Sequence, residues 1–189
     1  MNWYCDHAPG HPIHGPYHDH EYGFPVSDET ALFERLGLEI FQAGLSWLMV
    51  LNKREALNRA FAGFQVDEIA RYGDDDVARL LADATIIRNK AKIRAIIANA
   101  GRFREIRAEA GSFAEWLAAH HPRREEDWVK LFRANFRFAG PEVVREFLMS
   151  IGYLPGAHSR DCPVFSRIAL HRPPWAEVPG AEAVAPQQR

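Results

Sequence analysis

From Ser27 onward the chain carries apolar residues at helical spacing, with Leu32, Phe33, Leu36 and Ile40 on one face. Ser27 ahead of Asp28 and Glu29 predicts an N-cap followed by an acidic first turn, which suits the positive end of a helix. Gly44 predicts a stop, and Ser46 caps a second helix running from Trp47 towards Phe61. Shorter helices follow at Val66–Tyr72 and Asp74–Leu81. A longer one runs from about Asn89 to Ala110, with Ile93, Ile96, Ile97 and Ala100 inward. Ser112 and Glu115 form a capping box for a segment ending near Ala119, and the charged stretch Pro122–Asp127 reads as a loop. Pro141 opens the last clear helix, which buries Val143, Val144, Phe147, Leu148 and Ile151 before Gly152 ends it. Nothing reads as a strand pair, so the fold class is all-α. The first 26 residues lack a helical period and are rich in His, Pro, Gly and aromatic residues. They predict an irregular but packed arm, because Trp3, Tyr4, Tyr17 and Tyr22 are costly to leave in water. The Pro- and Ala-rich stretch after Arg172 predicts an extended or disordered tail, leaving 1–171 as a single domain and 172–189 outside it.

Composition narrows the class without naming a function. A chain of 189 residues that is 47% hydrophobic can build a real core. It contains no run of about 18 apolar residues that could span a membrane. The N-terminal MNWYCDHAPGH has no basic-then-apolar signal, which argues for the cytoplasm. Two cysteines are too few for a secreted disulfide framework. The net charge of −2 gives no global hint of a polyanionic partner, so a nucleic-acid reading has to rest on local charge.

Three local features could carry chemistry. His158 and Cys162 are four residues apart and can converge on one ion, while Cys5 could pair with His7, His11, His14, His18 or His20. A Cys2His2 set would satisfy tetrahedral zinc and tie the arm to the C-terminal region; two unrelated buried thiols, or a disulfide, are the alternatives. Glu39 lies at the margin of the apolar stripe near the end of its helix, where the dipole disfavours an anion. Such a carboxylate has a raised pKa or a cationic partner, or else reaches solvent as an edge residue. Trp47 follows just beyond the Gly44 break and could place a flat indole beside it. Finally, Arg88, Asn89, Lys90, Lys92 and Arg94 gather where a turn enters the long helix. This is either an anion site suited to phosphate or a solvated helix start balancing Asp74–Asp76, and Lys53, Arg54, Arg133 and Arg137 could extend a positive strip.

Five motifs then occur in order: YHDHEYGFP (Tyr17–Pro25), LEIFQAGLSW (Leu38–Trp47) with VLNKRE, IIRNKAKI (Ile86–Ile93), FRFAG (Phe136–Gly140) and AHSRDCP (Ala157–Pro163). Together they resemble the DNA-3-methyladenine glycosylase I family of the helix-hairpin-helix superfamily, from Cys5 to about Pro163. The resemblance implies a helix-hairpin-helix glycosylase fold, with a structural zinc on Cys5, His18, His158 and Cys162. It implies Glu39 as the base-recognising, catalytic carboxylate and Trp47 as the stacking indole, with Tyr17 in the pocket. The hairpin falls on Ile86–Lys92, with Arg88, Asn89, Lys90 and Lys92 towards DNA, and Gln42, Gly44 and Leu45 lie where an extruded nucleotide leaves its gap. The implied partner is double-stranded DNA containing an alkylated base, met by a monomer; the implied reaction is monofunctional base release by nucleotide flipping. Departures from the family pattern are His7 for a tryptophan, His14 for a second pocket tyrosine, Tyr22 for a tryptophan, and Ile40 and Phe41 for smaller or polar residues. They predict a crowded or re-polarised pocket wall touched by His7, His14 and Tyr22, and a branch whose base preference differs.

Overall fold

The computed structural model describes residues 3–178, and every regular element among them is helical. The elements are α1 (Trp3–His7), α2 (His14–His20), α3 (Glu29–Gln42), α4 (Trp47–Ala60), α5 (Val66–Ile69), α6 (Asp74–Ala82), α7 (Lys90–Ala110), α8 (Phe113–Ala119), α9 (Glu125–Asn135), α10 (Pro141–Ser150) and α11 (Pro163–Leu170). Helix α3 is central, packing against α4, α7 and α10. Its periodic stripe predicted one buried face, yet every residue from Leu32 to Phe41 is buried. A helix enclosed on all sides can carry a shielded carboxylate, which an amphipathic surface helix cannot.

Local signals account for several helix ends. Asp28, one residue after the predicted Ser27, caps α3 by accepting a 2.8 Å hydrogen bond from the Ala31 N–H. Ser46 caps α4 through Met49 N, and Ser112 caps α8 through Glu115 N. Between α3 and α4 the chain reverses at Gly44, whose φ of +78° is a left-handed conformation that glycine adopts without strain. Helices α6 and α7 pack together across a short connecting turn, and Asn89 caps α7 by accepting from the Lys92 N–H.

Three expectations are corrected. The N-terminal arm is not irregular but forms α1 and α2, two short helices whose Tyr4, His14, Tyr17 and His18 are buried. Packing of these aromatic rings overrides the poor helix propensity of a Gly-Pro-His segment. The stretch read as a loop to Asp127 becomes helical at Glu125, because Glu125, Glu126 and Asp127 occupy the favoured first turn of α9. Beyond Arg172 the chain stays packed through 178: Pro174–Glu177 form a 3-10 turn, Trp175 is buried, and its N–H donates to Gly152 O at 3.2 Å. The rest of the predicted tail, 179–189, lies outside the described residues.

Candidate functional site

The turn between α3 and α4 borders a cavity of about 470 Å³ lined by Trp3, Tyr4, His14, Gln42, Leu45, Ser46, Trp47 and Leu48. Four aromatic or imidazole rings and two leucines make it a slot for a flat, largely apolar ligand. Glu39 lies one helical turn before Gln42, so the two share a face of α3. Glu39 is 1% exposed, and both carboxylate oxygens are closed to solvent. This settles the sequence alternatives against a solvent-reaching edge residue. A carboxylate in so dry a place is costly as an anion unless it meets a cation or donors, and the same cost makes it selective for such a ligand.

Trp47 and Tyr17 meet nearly edge to face, with centroids 5.0 Å apart. Behind Tyr17 lies the Arg35 guanidinium, 4.9 Å from the ring centroid and donating to the phenol oxygen at 3.4 Å. Arg35 is held in turn by Glu21 at 2.8 Å, and Glu21 also accepts from Arg54, which pairs with Glu34 at 2.8 Å. Tyr17 therefore stands on a charge lattice spanning α2, the following turn, α3 and α4.

Four residues expected at the pocket wall sit elsewhere. His7 is exposed, stacks on Trp3 at 4.7 Å and donates from its protonated Nδ1 to the Trp3 carbonyl oxygen at 2.8 Å. The side chain lining the cavity is Trp3. Tyr22 is buried behind Tyr4 and Tyr17, with its hydroxyl donating to Glu146 at 3.1 Å. Ile40 and Phe41 point into the core, Phe41 against Phe61, and so do not crowd the cavity. Only His14, among the substituted positions, lines it. Trp3, Tyr4 and Leu48 were given no site role by the sequence. The available signal was Trp3 and His7 at i and i+4, the spacing of stacked neighbours on a helix.

The basic cluster also divides. Arg88, Asn89 and Lys90 are exposed at the start of α7, where the first N–H groups lack helical partners. Arg94 pairs with Asp74. Lys92 is not a surface cation: it is 5% exposed, and its ammonium donates to Phe41 O at 2.8 Å and Ala43 O at 2.5 Å. Burial lowers its pKa from the ordinary lysine value. It caps the C-terminal carbonyls of α3 and fixes the turn through Gly44.

At the far side of α1 and α2, Cys5, His18, His158 and Cys162 bring one donor atom each to within 4.8 Å of one another. His158 Nδ1 lies 3.5 Å from both sulfurs, and His18 Nε2 lies 3.8 Å from Cys162 Sγ. Tetrahedral zinc with ordinary bond lengths separates its N and S ligands by about 3.5 Å, so the set fits such an ion. The second ring nitrogens are oriented as ligating histidines require, His18 Nδ1 on Asp19 at 2.7 Å and His158 Nε2 on Tyr22 O at 2.8 Å. Burial takes His158 down to about 4, keeping it in the neutral ligand form, and raises the Cys5 thiol to about 11, so ion binding there releases a proton.

An all-helical fold with an aromatic slot beside a buried carboxylate, clasped by a Cys2His2 set, defines the class to which comparison gives a family. A methyladenine glycosylase family model matches residues 7–131, and the chain belongs to that family. DNA-3-methyladenine glycosylase of Haemophilus influenzae is 32% identical over 182 residues, covering 86% of this chain and 98% of that protein. DNA-3-methyladenine glycosylase 1 of Escherichia coli is 45% identical over 92 residues, a match that spans 49% of each chain. Among solved structures, 3-methyladenine DNA glycosylase I from Staphylococcus aureus superposes with a TM-score of 0.76 at 32% identity, covering 85% of this chain and 95% of that one.

Proposed function

We infer that this chain is a base-excision repair glycosylase that hydrolyses the N-glycosidic bond of 3-methyladenine in DNA. The observation that carries the reading is Glu39, a carboxylate closed to solvent one turn from an aromatic slot, in a chain of the methyladenine glycosylase family. Methylation at N3 makes adenine cationic, which weakens the glycosidic bond and makes the base a good leaving group. The enzyme extrudes the nucleotide, at a cost of a few kcal/mol of unstacking, and binds the lesion better than adenine. Glu39 accepts hydrogen bonds from the edge of the cationic base while Trp47 stacks on its face; Tyr17, braced by Arg35, sets the angle of the indole. Trp3 and His14 complete the wall, and His7 acts through Trp3. Water completes hydrolysis and leaves an abasic site.

Gln42, Gly44 and Leu45 enter the gap left by the extruded nucleotide, held in place by Lys92. Helices α6 and α7 act as the helix-hairpin-helix, with Arg88, Asn89 and Lys90 at the phosphates. The enzyme works as a single chain. No lysine stands ready for a Schiff base: Lys92 is spent on two carbonyls, Lys53 donates to Thr85 O, Lys130 pairs with Asp127, and Lys90 is at the hairpin. Release is therefore monofunctional. Cys5, His18, His158 and Cys162 would hold a structural zinc, which when bound cross-links the two ends of the fold. With four protein ligands it leaves no position for a reacting water.

Chromatography of bases released from methylated DNA tests the reading. The wild-type chain releases 3-methyladenine, and Glu39→Gln slows single-turnover release by roughly a hundredfold, as removal of a pre-placed buried charge does. Trp47→Ala weakens binding of free 3-methyladenine by about tenfold. Lesion duplex bound tightly without any base released would instead make the chain a damage-binding protein.

A further inference from the structure

The FRFAG segment between α9 and α10 is left without a role by the pocket and the hairpin. At its centre Phe138 is 43% exposed and holds a φ of +60°, so an aromatic side chain is kept both in water and in a left-handed backbone. Each is unfavourable, and together they persist only where the surroundings impose them. The imposing group is Asn99. Buried to 1% exposure on α7, it accepts from Arg137 N at 2.7 Å and donates to Arg137 O at 3.1 Å, gripping both backbone groups of the residue before Phe138. Asn99 lies seven positions after Lys92, on the same face of α7. One helix thus fixes two loops, the Gly44 turn through Lys92 and the Phe138 loop through Asn99.

Both loops border one open groove of about 590 Å³, to which Ala43 contributes from the turn, Arg133 from the last turn of α9, and Arg137 and Phe138 from the second loop. Arg133 and Arg137 are exposed and have no carboxylate partner among the described residues, as is also true of Arg88 and Lys90. Most other arginines are paired, including Arg54, Arg79, Arg102, Arg107 and Arg124. Glu142, the carboxylate on the groove, is engaged by Arg145. Unpaired cations beside an exposed ring match one kind of occupant, a nucleic-acid strand whose phosphates meet the arginines and whose bases stack on the ring.

We propose that Phe138 is a second DNA-inserting residue, stacking on a base step opened in the kinked lesion duplex while Arg133 and Arg137 hold the adjoining backbone. The proposal rests on the glycosylase reading, which supplies the opened duplex. Substitution Phe138→Asn tests it, since Asn tolerates the left-handed backbone and removes only the ring. Binding is read by fluorescence anisotropy with a tetrahydrofuran-containing duplex and an undamaged duplex of the same sequence, beside thermal melting. Phe138→Asn should melt no lower than wild type, bind the tetrahydrofuran duplex about tenfold more weakly, and bind undamaged duplex and free 3-methyladenine as before; Phe138→Trp should restore binding. Unchanged affinity for the tetrahydrofuran duplex overturns the proposal. So does an equal loss on both duplexes with a lower melting temperature, which makes the ring structural. A wild-type chain that does not prefer the tetrahydrofuran duplex likewise overturns the proposal, whereas the glycosylase reading fails only if wild type releases no 3-methyladenine from methylated DNA.

Discussion

Lys92 shows how far a side chain's role depends on where its backbone enters the fold. Two residues away Lys90 faces solvent, whereas the Lys92 ammonium is buried on the carbonyls of Phe41 and Ala43. Replacing it by Met leaves two carbonyls without their donor at the turn that carries Gln42, Gly44 and Leu45, and an unpaired buried acceptor costs about 1–3 kcal/mol. Lys92→Met is expected to weaken lesion-duplex binding by about tenfold while the dependence of log K on log salt keeps its slope. Lys90→Met is expected to lower that slope by about one, as loss of a phosphate contact does. A salt titration of both variants checks the assignment, and a flattened slope for Lys92→Met would return it to the phosphates. The charge of each lysine was legible in sequence, but periodicity could not tell which one turned inward, since both lie within the first turn of α7. Glu39 was legible as an anomaly at the edge of a stripe. Its enclosure was not, because the helices that cover the other faces of α3 come from distant parts of the chain.

At the level of elements, the turn after α2 and helices α3 and α4 are joined by ion pairs as well as by apolar packing. Arg54 on α4 bridges Glu34 on α3 and Glu21 beyond α2, and Asn58 adds a 3.2 Å hydrogen bond to Glu34. Burial alone would raise the Glu34 pKa, but the Arg54 hydrogen bonds and charge outweigh it and hold the carboxyl below its ordinary 4.5. A carboxylate whose folded pKa is lowered stabilises the fold above its unfolded value, and the contribution is lost as pH falls through the folded value. Arg54→Met should therefore cost about 2 kcal/mol at pH 7, and the gap from wild type should close as the pH drops below about 4.5. Urea midpoints measured from pH 7 to pH 3 give the comparison; a gap that stays constant would mean that the pair contributes packing alone. Helices α3, α4, α7 and α8 were readable because a capping side chain and an apolar stripe coincide in each, and α5, α6 and α10 from their residue pattern without such a cap. Helix α11, beyond what read as the last clear helix, was missed. Helices α1 and α2 were not, since their short His- and Pro-containing sequences become helical only when Tyr4, Tyr17 and Tyr22 pack together. Helix α9 was obscured by its own acidic first turn, which in isolation looks like a charged loop.

Across the whole molecule, the Cys2His2 set and the aromatic cavity are two ends of one construction. Helix α1 carries Cys5 beside Tyr4, and α2 carries His18 beside Tyr17, so each ligand of the N-terminal pair is adjacent in sequence to an aromatic ring of the site. His158 and Cys162 anchor that pair to the C-terminal region, where Cys162, Val164, Ile168 and Trp175 form a small apolar cluster apart from the main core. Helices of five and seven residues have little stability of their own, so this clasp and ring packing must keep them folded. Removing a zinc ion held by this set should therefore affect both fold and recognition. Purified protein should contain about one zinc per chain, and chelation or Cys162→Ser should lower the melting temperature and weaken binding of free 3-methyladenine, with readdition of zinc restoring the chelated protein. Helix α3 packs directly against α7 and α10, so helical content should fall only slightly as base binding is lost. Zinc analysis, circular dichroism and base-binding titration on the same sample decide the matter: a metal-free protein with full affinity would separate the clasp from the pocket.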